Sequence, residues 1–261
     1  MSQLMEITSR ECKAYLDNGG DLAVIPCASP ERLGPHLPLG TRIIVAETMA
    51  AILAEKHDGI ALPVIPYGTL YEGHDAPGGI DVPAKLMHQY LRDVCMELRR
   101  GGFKRMLVVS FADELYYLAH DIFQRDNLAV AVLSPSNMSG TVIDSLDASG
   151  KELWRLLACL SHRNDTETLH AVLERNTRLY TPAPPAVSPA TQALTRLGNT
   201  PRVFGKDEWK CHPVSLGADT PELCRTAKAE LDAWLDAYRE PLAALSEYQA
   251  YLDGHNYVRP I

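Results

Sequence analysis

The feature of the sequence that most constrains its fold is a repeated alternation of short apolar runs with longer amphipathic segments. Each run is rich in branched residues and apolar on both faces, which is typical of parallel strands covered by helices on both sides. The runs are 22–26, 59–65, 105–110 and 129–133. Strands that alternate with helices predict an α/β fold, layered α/β/α with a mainly parallel central sheet.

The segments between the runs repeat their apolar residues with the period of an α-helix. They predict helices over 41–56, 84–100, 115–125 and 153–160, and one long helix over 221–248 that Pro241 should break or kink. The proline-rich stretch that begins at Thr181 is typical of an extended surface connection. Because only a short length of chain follows it, we expect a single domain over 1–261.

Composition narrows the possible partners. The formal net charge is −8, whereas nucleic-acid binding needs a positive surface. Six cysteines form no C-x-x-C pair, which favours reduced thiols in a reducing compartment. The N-terminus does not resemble a signal peptide, and no stretch approaches the ~20 apolar residues of a membrane span. We expect a cytoplasmic protein that binds a small-molecule substrate, without nucleic-acid or membrane partners.

Polar residues follow three of the predicted strands, at the edge of the sheet where α/β proteins bind ligands. The first loop carries Glu31, His36 and Arg42. The second carries His74, and the third carries Asp113 and Glu114. These six residues are candidates for an active site. Structural roles compete: a backbone bond for His36, a surface turn for His74, and a helix cap for Asp113.

The first loop also resembles a known family. Residues 25–42, I-P-C-A-S-P-E-R-L-G-P-H-L-P-L-G-T-R, are similar to the creatininase signature I-P-x-G-S-x-E-Q-H-G-P-H-L-P-x-x-T-D. Residues 161–168, S-H-R-N-D-T-E-T, resemble its H-A-G-x-x-E-T-S motif. The resemblance implies a creatininase-like fold, amidohydrolase-type chemistry and a homo-oligomer, since the family forms symmetric rings that are often hexamers. It also implies that His162 and Glu167 line the substrate pocket.

The resemblance weakens where the family binds two divalent ions. Glu31 and Glu114 stand at its acidic positions, but Leu33, Arg42 and Ala112 stand at a His, an Asp and a His. Leucine and alanine offer no lone pair, and a guanidinium repels a dication. We therefore expect no metal and no cofactor. A cluster of Glu31, Arg42 and Glu114 should fill the space of the ions, with Arg42 neutralising the carboxylates.

Three functions remain open at this point. The first is a metal-independent enzyme that opens, closes, isomerises or hydrolyses a small polar cyclic amide or amidine. Glu31 or Glu114 would be its general acid or base, and Arg42 would stabilise developing negative charge. The second is a catalytically dead homologue that serves as a binding or structural subunit. The third is a metal-dependent amidohydrolase with a relocated site built from His36, His74, Glu31 and Glu114.

Overall fold

A computed structural model describes residues 2–70, 77–112, 115–181, 189, 211–216 and 220–255. Its centre is a five-stranded sheet in the order β1-β3-β2-β4-β5, in which every pairing is parallel. The strands are β1 (Ser2–Gln3), β2 (Leu22–Cys27), β3 (Gly59–Ala61), β4 (Arg105–Ser110) and β5 (Val130–Leu133). The predicted α/β fold with a parallel central sheet is confirmed.

The helices follow the strands in the predicted alternation. In chain order they are α1 (Ser9–Asp17), α2 (Thr41–Lys56), α3 (Ala84–Arg100), α4 (Leu115–Asp126), α5 (Ala148–Arg163), α6 (Thr166–Leu179), α7 (Thr220–Asp236) and α8 (Arg239–His255). None of the helices in the described ranges is long and apolar enough to cross a membrane.

Alternate residues of the central strands point into two separate cores, which explains why the strands are apolar on both faces. Leu22 and Val24 of β2 pack with α2, α5 and α7 on one side of the sheet. Ala23, Ile25 and Cys27 pack with α3 and α4 on the other side. The sheet is therefore the middle layer of three, with helices packed on both of its faces.

The helix α5 is longer than predicted and begins before Leu153. The carboxylate of Asp147 caps its first turn by accepting the N–H of Gly150 at 2.8 Å. All residues from 152 to 160 are buried, including the charged residues Glu152 and Arg155. Because a buried charge needs a partner of opposite charge, we expect Glu152 and Arg155 to form ion pairs in addition to packing in the core.

The C-terminal segment forms two helices where one was predicted over 221–248. The break lies after Asp236, and Pro241 belongs to the first turn of α8. A proline is tolerated there because the first N–H groups of a helix have no partner within it. Likewise, β3 ends at Ala61 because Pro63 has no N–H to donate to a strand ladder. The proline-rich stretch after Thr181 lies almost wholly outside the described residues.

Candidate active site

The candidate site is a pocket at the carboxyl ends of β2 and β4. Cys27 and Ser110, the last residues of these strands, are paired in the sheet, and both line the pocket. The pocket encloses about 40 Å³, enough for a few water molecules or one small polar group. Its other polar lining residues are Ser29, Glu31, Arg42 and Thr69.

The loop between β2 and α2 brings Glu31 and Arg42 together. The N–H of Glu31 donates to the carbonyl oxygen of Leu39 at 2.9 Å, which closes the loop on itself. Gly34 has a φ of 141°, and a Cβ at this position would lie 2.3 Å from the carbonyl oxygen of Cys211. Only glycine fits both this backbone conformation and this short distance to Cys211. The glycine of the G-P-H-L-P sequence is therefore required by the fold of the loop, apart from any role in catalysis.

Glu31 and Arg42 of the pocket lining belong to a group of four charged side chains that we call the four-charge cluster: Glu31, Arg42, Glu152 and Arg155. Arg42 Nη1 donates to Glu31 Oε2 at 2.6 Å, and Arg42 Nη2 donates to Glu152 Oε1 at 3.0 Å. Arg155 Nη1 lies 3.8 Å from the same oxygen of Glu152. The side chains are between 4% and 14% exposed. Two positive and two negative charges balance one another, as their burial requires.

Arg42 stays cationic in this environment. Burial lowers the pKa of its guanidinium, but the attraction of Glu152 and Glu31 outweighs burial, so the net pKa is raised. The ring of Phe111 lies against the guanidinium, with Cζ 4.6 Å from the ring centroid, in a cation–π contact. Burial lowers the pKa of Arg155, and the attraction of Glu152 opposes that effect. The guanidinium of Arg42 is thus a fixed positive charge beside the pocket.

The second loop is joined to the first by Ser29. Its hydroxyl donates to the carbonyl oxygen of Gly68 at 2.9 Å and accepts the N–H of the same residue. A backbone bridge between Cys27 and Ile65 supports the same junction. The residues at the pocket edge are thereby tied to the end of the central sheet.

The predicted contact between Arg42 and Glu31 is present, but the second carboxylate on Arg42 is Glu152. Glu114, which we expected there, lies outside the described residues, as do Asp113 and His74. Sequence reasoning missed Glu152 because the predicted helix began one residue later, at Leu153. The signal was an acidic residue in a stripe of residues that are otherwise apolar, which implies a buried partner.

His36 does not line the pocket. It is fully buried behind the loop, next to Gly34, and neither ring nitrogen meets a hydrogen-bond partner among the described residues. Burial, with the positive charges of His212 and Arg175 in addition, lowers the pKa of His36 to about 4. The imidazole is therefore neutral at pH 7. The backbone bond expected from its side chain is absent; instead its carbonyl oxygen accepts from Arg175 Nη1 at 3.4 Å.

His162 and Glu167 are not brought to the pocket. His162 lies ten residues after Glu152 on α5, which is about 15 Å along the helix axis. The charges that act on it are those of Asp232, Lys228, Glu55 and Lys56, at the far end of α2 and on α7. Glu167 is exposed in the first turn of α6. The described contacts give neither residue a role in this pocket.

The donors in the described residues do not fit a two-ion centre. Leu33 is buried as an apolar side chain, Ala112 lines the pocket, and Arg42 holds a positive charge at the third position. In the described ranges, no three His, Cys, Asp or Glu residues are grouped so that they could hold a metal ion. A relocated site would need His36, which is not part of the pocket lining, as well as His74 and Glu114, which lie outside the described residues.

The chain resembles known proteins in sequence over its first half and in structure over almost its whole length. Residues 5–125 match the family model of creatininase, creatinine amidohydrolase. The structure superposes on a creatininase in a manganese form with a TM-score of 0.66, at 16% identity over 93% of this chain and 99% of the other. A creatininase point mutant of the Zn-Zn type gives a TM-score of 0.68, at 18% identity over 93% and 99% of the two chains.

A third solved structure extends the same likeness. A putative creatinine amidohydrolase from Bacteroides fragilis superposes with a TM-score of 0.66, at 15% identity over 95% of this chain and 96% of the other. At such identities the structural likeness shows the fold alone. A comparison with curated protein sequences finds no match.

Proposed function

We propose that this chain, which matches the creatininase family model over residues 5–125 and shares the creatininase fold, is an enzyme that works without a bound metal. Its substrate is a small polar cyclic amide or amidine. The observation that carries the proposal is the contact of 2.6 Å between Arg42 and Glu31. Arg42 is a permanent cation at the position where the family signature has an aspartate. It lies beside Glu31, which stands at an acidic ligand position of the signature and is among the described residues.

In this proposal Glu31 transfers protons. Its carboxylate lines the pocket and is held by Arg42 on one oxygen, so its position relative to a substrate is fixed. A carboxylate in this position takes a proton from a ring N–H or C–H and returns it to the atom at which the bond breaks. Glu114, the other acidic position of the signature, is the candidate for the complementary acid. Arg42 stabilises negative charge that develops in the pocket.

The donor set favours some reactions over others. With Leu33, Arg42 and Ala112 at ligand positions, the described residues offer no means of lowering the pKa of a water molecule towards 7. Hydrolysis of an amide is harder without such a nucleophile, because a carboxylate alone must then activate the water. Ring opening or closure by elimination, and isomerisation, need only proton transfers, and we place these reactions first.

The second candidate is a catalytically dead homologue that binds a ligand or a partner subunit. One observation favours it: both terminal nitrogens of Arg42 are engaged by carboxylates, which leaves less of its charge for a reaction. The other expectations from the sequence stay proposals: a homo-oligomer, a cytoplasmic location, a single domain over 1–261, and substrate contacts from His74 and Asp113. Of the other predicted contact residues, His36, His162 and Glu167 do not line the pocket of the described residues.

The test is a screen of small cyclic amides and amidines with protein dialysed against a chelator, followed by NMR of the products. We expect turnover to survive dialysis and to fall by about a hundredfold or more in Glu31→Gln. The matched control is Glu47→Gln, which removes an exposed carboxylate paired with Arg163 and should leave turnover unchanged.

Each outcome of the screen decides between the candidates. Turnover that depends on stoichiometric zinc or manganese contradicts metal independence. Ligand binding without turnover in the wild type supports the dead homologue. Full activity in both Glu31→Gln and Glu114→Gln removes the carboxylates from the mechanism.

A further inference from the structure

Glu152 stands outside every motif that the sequence presents, yet it makes half of the contacts that hold Arg42. It reaches Arg42 from α5, whereas Glu31 reaches Arg42 from the loop after β2. The two carboxylates take different nitrogens of one guanidinium, Nη1 for Glu31 and Nη2 for Glu152. Arg42 is thus held between the loop that precedes it and α5, where Glu152 lies 110 residues further along the sequence.

Glu152 is itself held in place from behind. Arg155, one turn further along α5, lies 3.8 Å from Glu152 Oε1. Arg155 Nη2 in turn donates to the carbonyl oxygen of Ser136 at 2.8 Å, which anchors it to the chain after β5. Since both side chains are buried, their positions are set by packing as well as by charge. This support orients one carboxylate towards Arg42.

The carboxylates of Glu31 and Glu152 form a binding site for one buried positive charge, which we call the cation seat. Their negative charge determines that the group bound there is a cation. Carboxylate oxygens are also the preferred ligands of hard divalent cations. If the guanidinium is removed, the seat keeps its negative charges and gains the volume of the missing side chain. A divalent ion with its water molecules then has both the charge and the space that it needs.

We propose that Glu152 is a positioning residue that completes, with Glu31, a seat for Arg42 as a built-in cation. This inference rests on the proposed function only in treating Glu31 and Arg42 as the working groups of the pocket. Arg42 is the resident positive charge of the native protein, and it excludes divalent ions by occupying their place. Glu152 fixes where that charge lies relative to the pocket and to Glu31.

The experiment measures uptake of manganese by purified Arg42→Ala, from the electron paramagnetic resonance of free Mn²⁺ and from the shift in melting temperature. We expect Arg42→Ala to bind about one ion per chain and to melt at a higher temperature when Mn²⁺ is present. The wild type should show neither effect. Arg105→Ala is the matched control, because Arg105 is a partly buried arginine paired with the single carboxylate of Asp21.

Two double variants test the role of Glu152. Arg42→Ala with Glu152→Gln, and Arg42→Ala with Glu31→Gln, should each bind Mn²⁺ at least about tenfold more weakly than Arg42→Ala alone. Uptake by Arg42→Ala that Glu152→Gln does not weaken overturns the proposal. So does a folded Arg42→Ala that takes up no ion.

Loss of the folded state is also informative. An Arg42→Ala protein that is unfolded at neutral pH should fold when Mn²⁺ is added, or in more acidic buffer, where protonation relieves the repulsion between the two carboxylates. If it stays unfolded under both conditions, the carboxylates are not the cause and the proposal is wrong. None of these measurements uses a substrate. The cation seat can therefore be confirmed when the screen finds no turnover, and turnover can be found when the cation seat is not confirmed.

Discussion

Glu31 and His36 belong to the same loop and both are buried, but the protein treats the two side chains in opposite ways. Glu31 joins the four-charge cluster, where each charge meets an opposite one. His36 meets no hydrogen-bond partner among the described residues, and the groups that act on it, His212 and Arg175, repel a proton. Glu31 can carry a buried charge because an opposite charge lies beside it. His36 stays neutral because a proton on its ring would be buried without a negative partner among the described residues.

The stability of the first region depends on its paired charges, whereas the stability of the second depends on His36 staying uncharged. In the first region, removal of any one partner leaves a buried charge uncompensated. In the second, the addition of a charge by protonation has the same effect. The two regions should therefore respond in opposite ways to substitutions that remove a polar group.

The largest effect is expected from Glu152→Gln. Among the described residues, the change leaves Glu31 as the one carboxylate on Arg42 and leaves no carboxylate on Arg155. Loss of one partner from a buried ion pair costs about 3–5 kcal/mol. The free energy of unfolding should fall by that amount in urea titrations at pH 7. Glu47→Gln, at an exposed pair with a distance of 3.0 Å, should cost less than about 1 kcal/mol. Equal losses in the two variants would show that the four-charge cluster is no more important than a surface pair.

The next effect is a loss of stability in acid that is caused by His36. Its pKa is lowered to about 4 in the folded protein, against ~6.5 in the unfolded chain. Between these values the unfolded chain binds more protons, so the free energy of unfolding falls as the pH drops from ~6.5 to ~4. The full contribution is about 3 kcal/mol.

The variant His36→Leu isolates this contribution. Its free energy of unfolding should fall less than that of the wild type over the same pH range, by about 3 kcal/mol. At pH 7 it should be at least as stable as the wild type, because it removes two buried nitrogens that have no partner in the described ranges of the chain. His120→Gln, at an exposed histidine, serves as control and should keep the acid response of the wild type. If His36→Leu titrates like the wild type, the acid loss comes from other groups.

The difference between the two regions also explains what the sequence could predict. The strands 22–27 and 105–110 are apolar on both faces, and this local pattern is sufficient to predict the parallel sheet. The contact between Arg42 and Glu31 was predictable because both residues lie in one motif. Glu152 is distant in sequence, and nothing local marks it as the partner of Arg42. The isolation of His36 depends on the segment 211–216, whose position no local pattern fixes.

The smallest effect concerns how that segment is held beside His36. Asn176 of α6 donates to the carbonyl oxygen of Val214 at 2.8 Å and accepts its N–H at 3.0 Å. Asn176→Ala removes both bonds, each with a net value of about 1 kcal/mol, so the expected loss is about 1–2 kcal/mol. Because these bonds are neutral, the loss should be the same at low and high salt, unlike the loss at an exposed ion pair.

Hydrogen exchange locates this last effect. The amide of Val214 should exchange faster in Asn176→Ala, while amides in the centre of β2 keep their protection, since the bonds hold a segment outside the sheet. Asn137→Ala, at an exposed asparagine, is the control and should change neither rate. If the β2 amides exchange faster as well, the segment is part of the cooperative core. The isolation of His36 then belongs to the global fold and not to a local clamp.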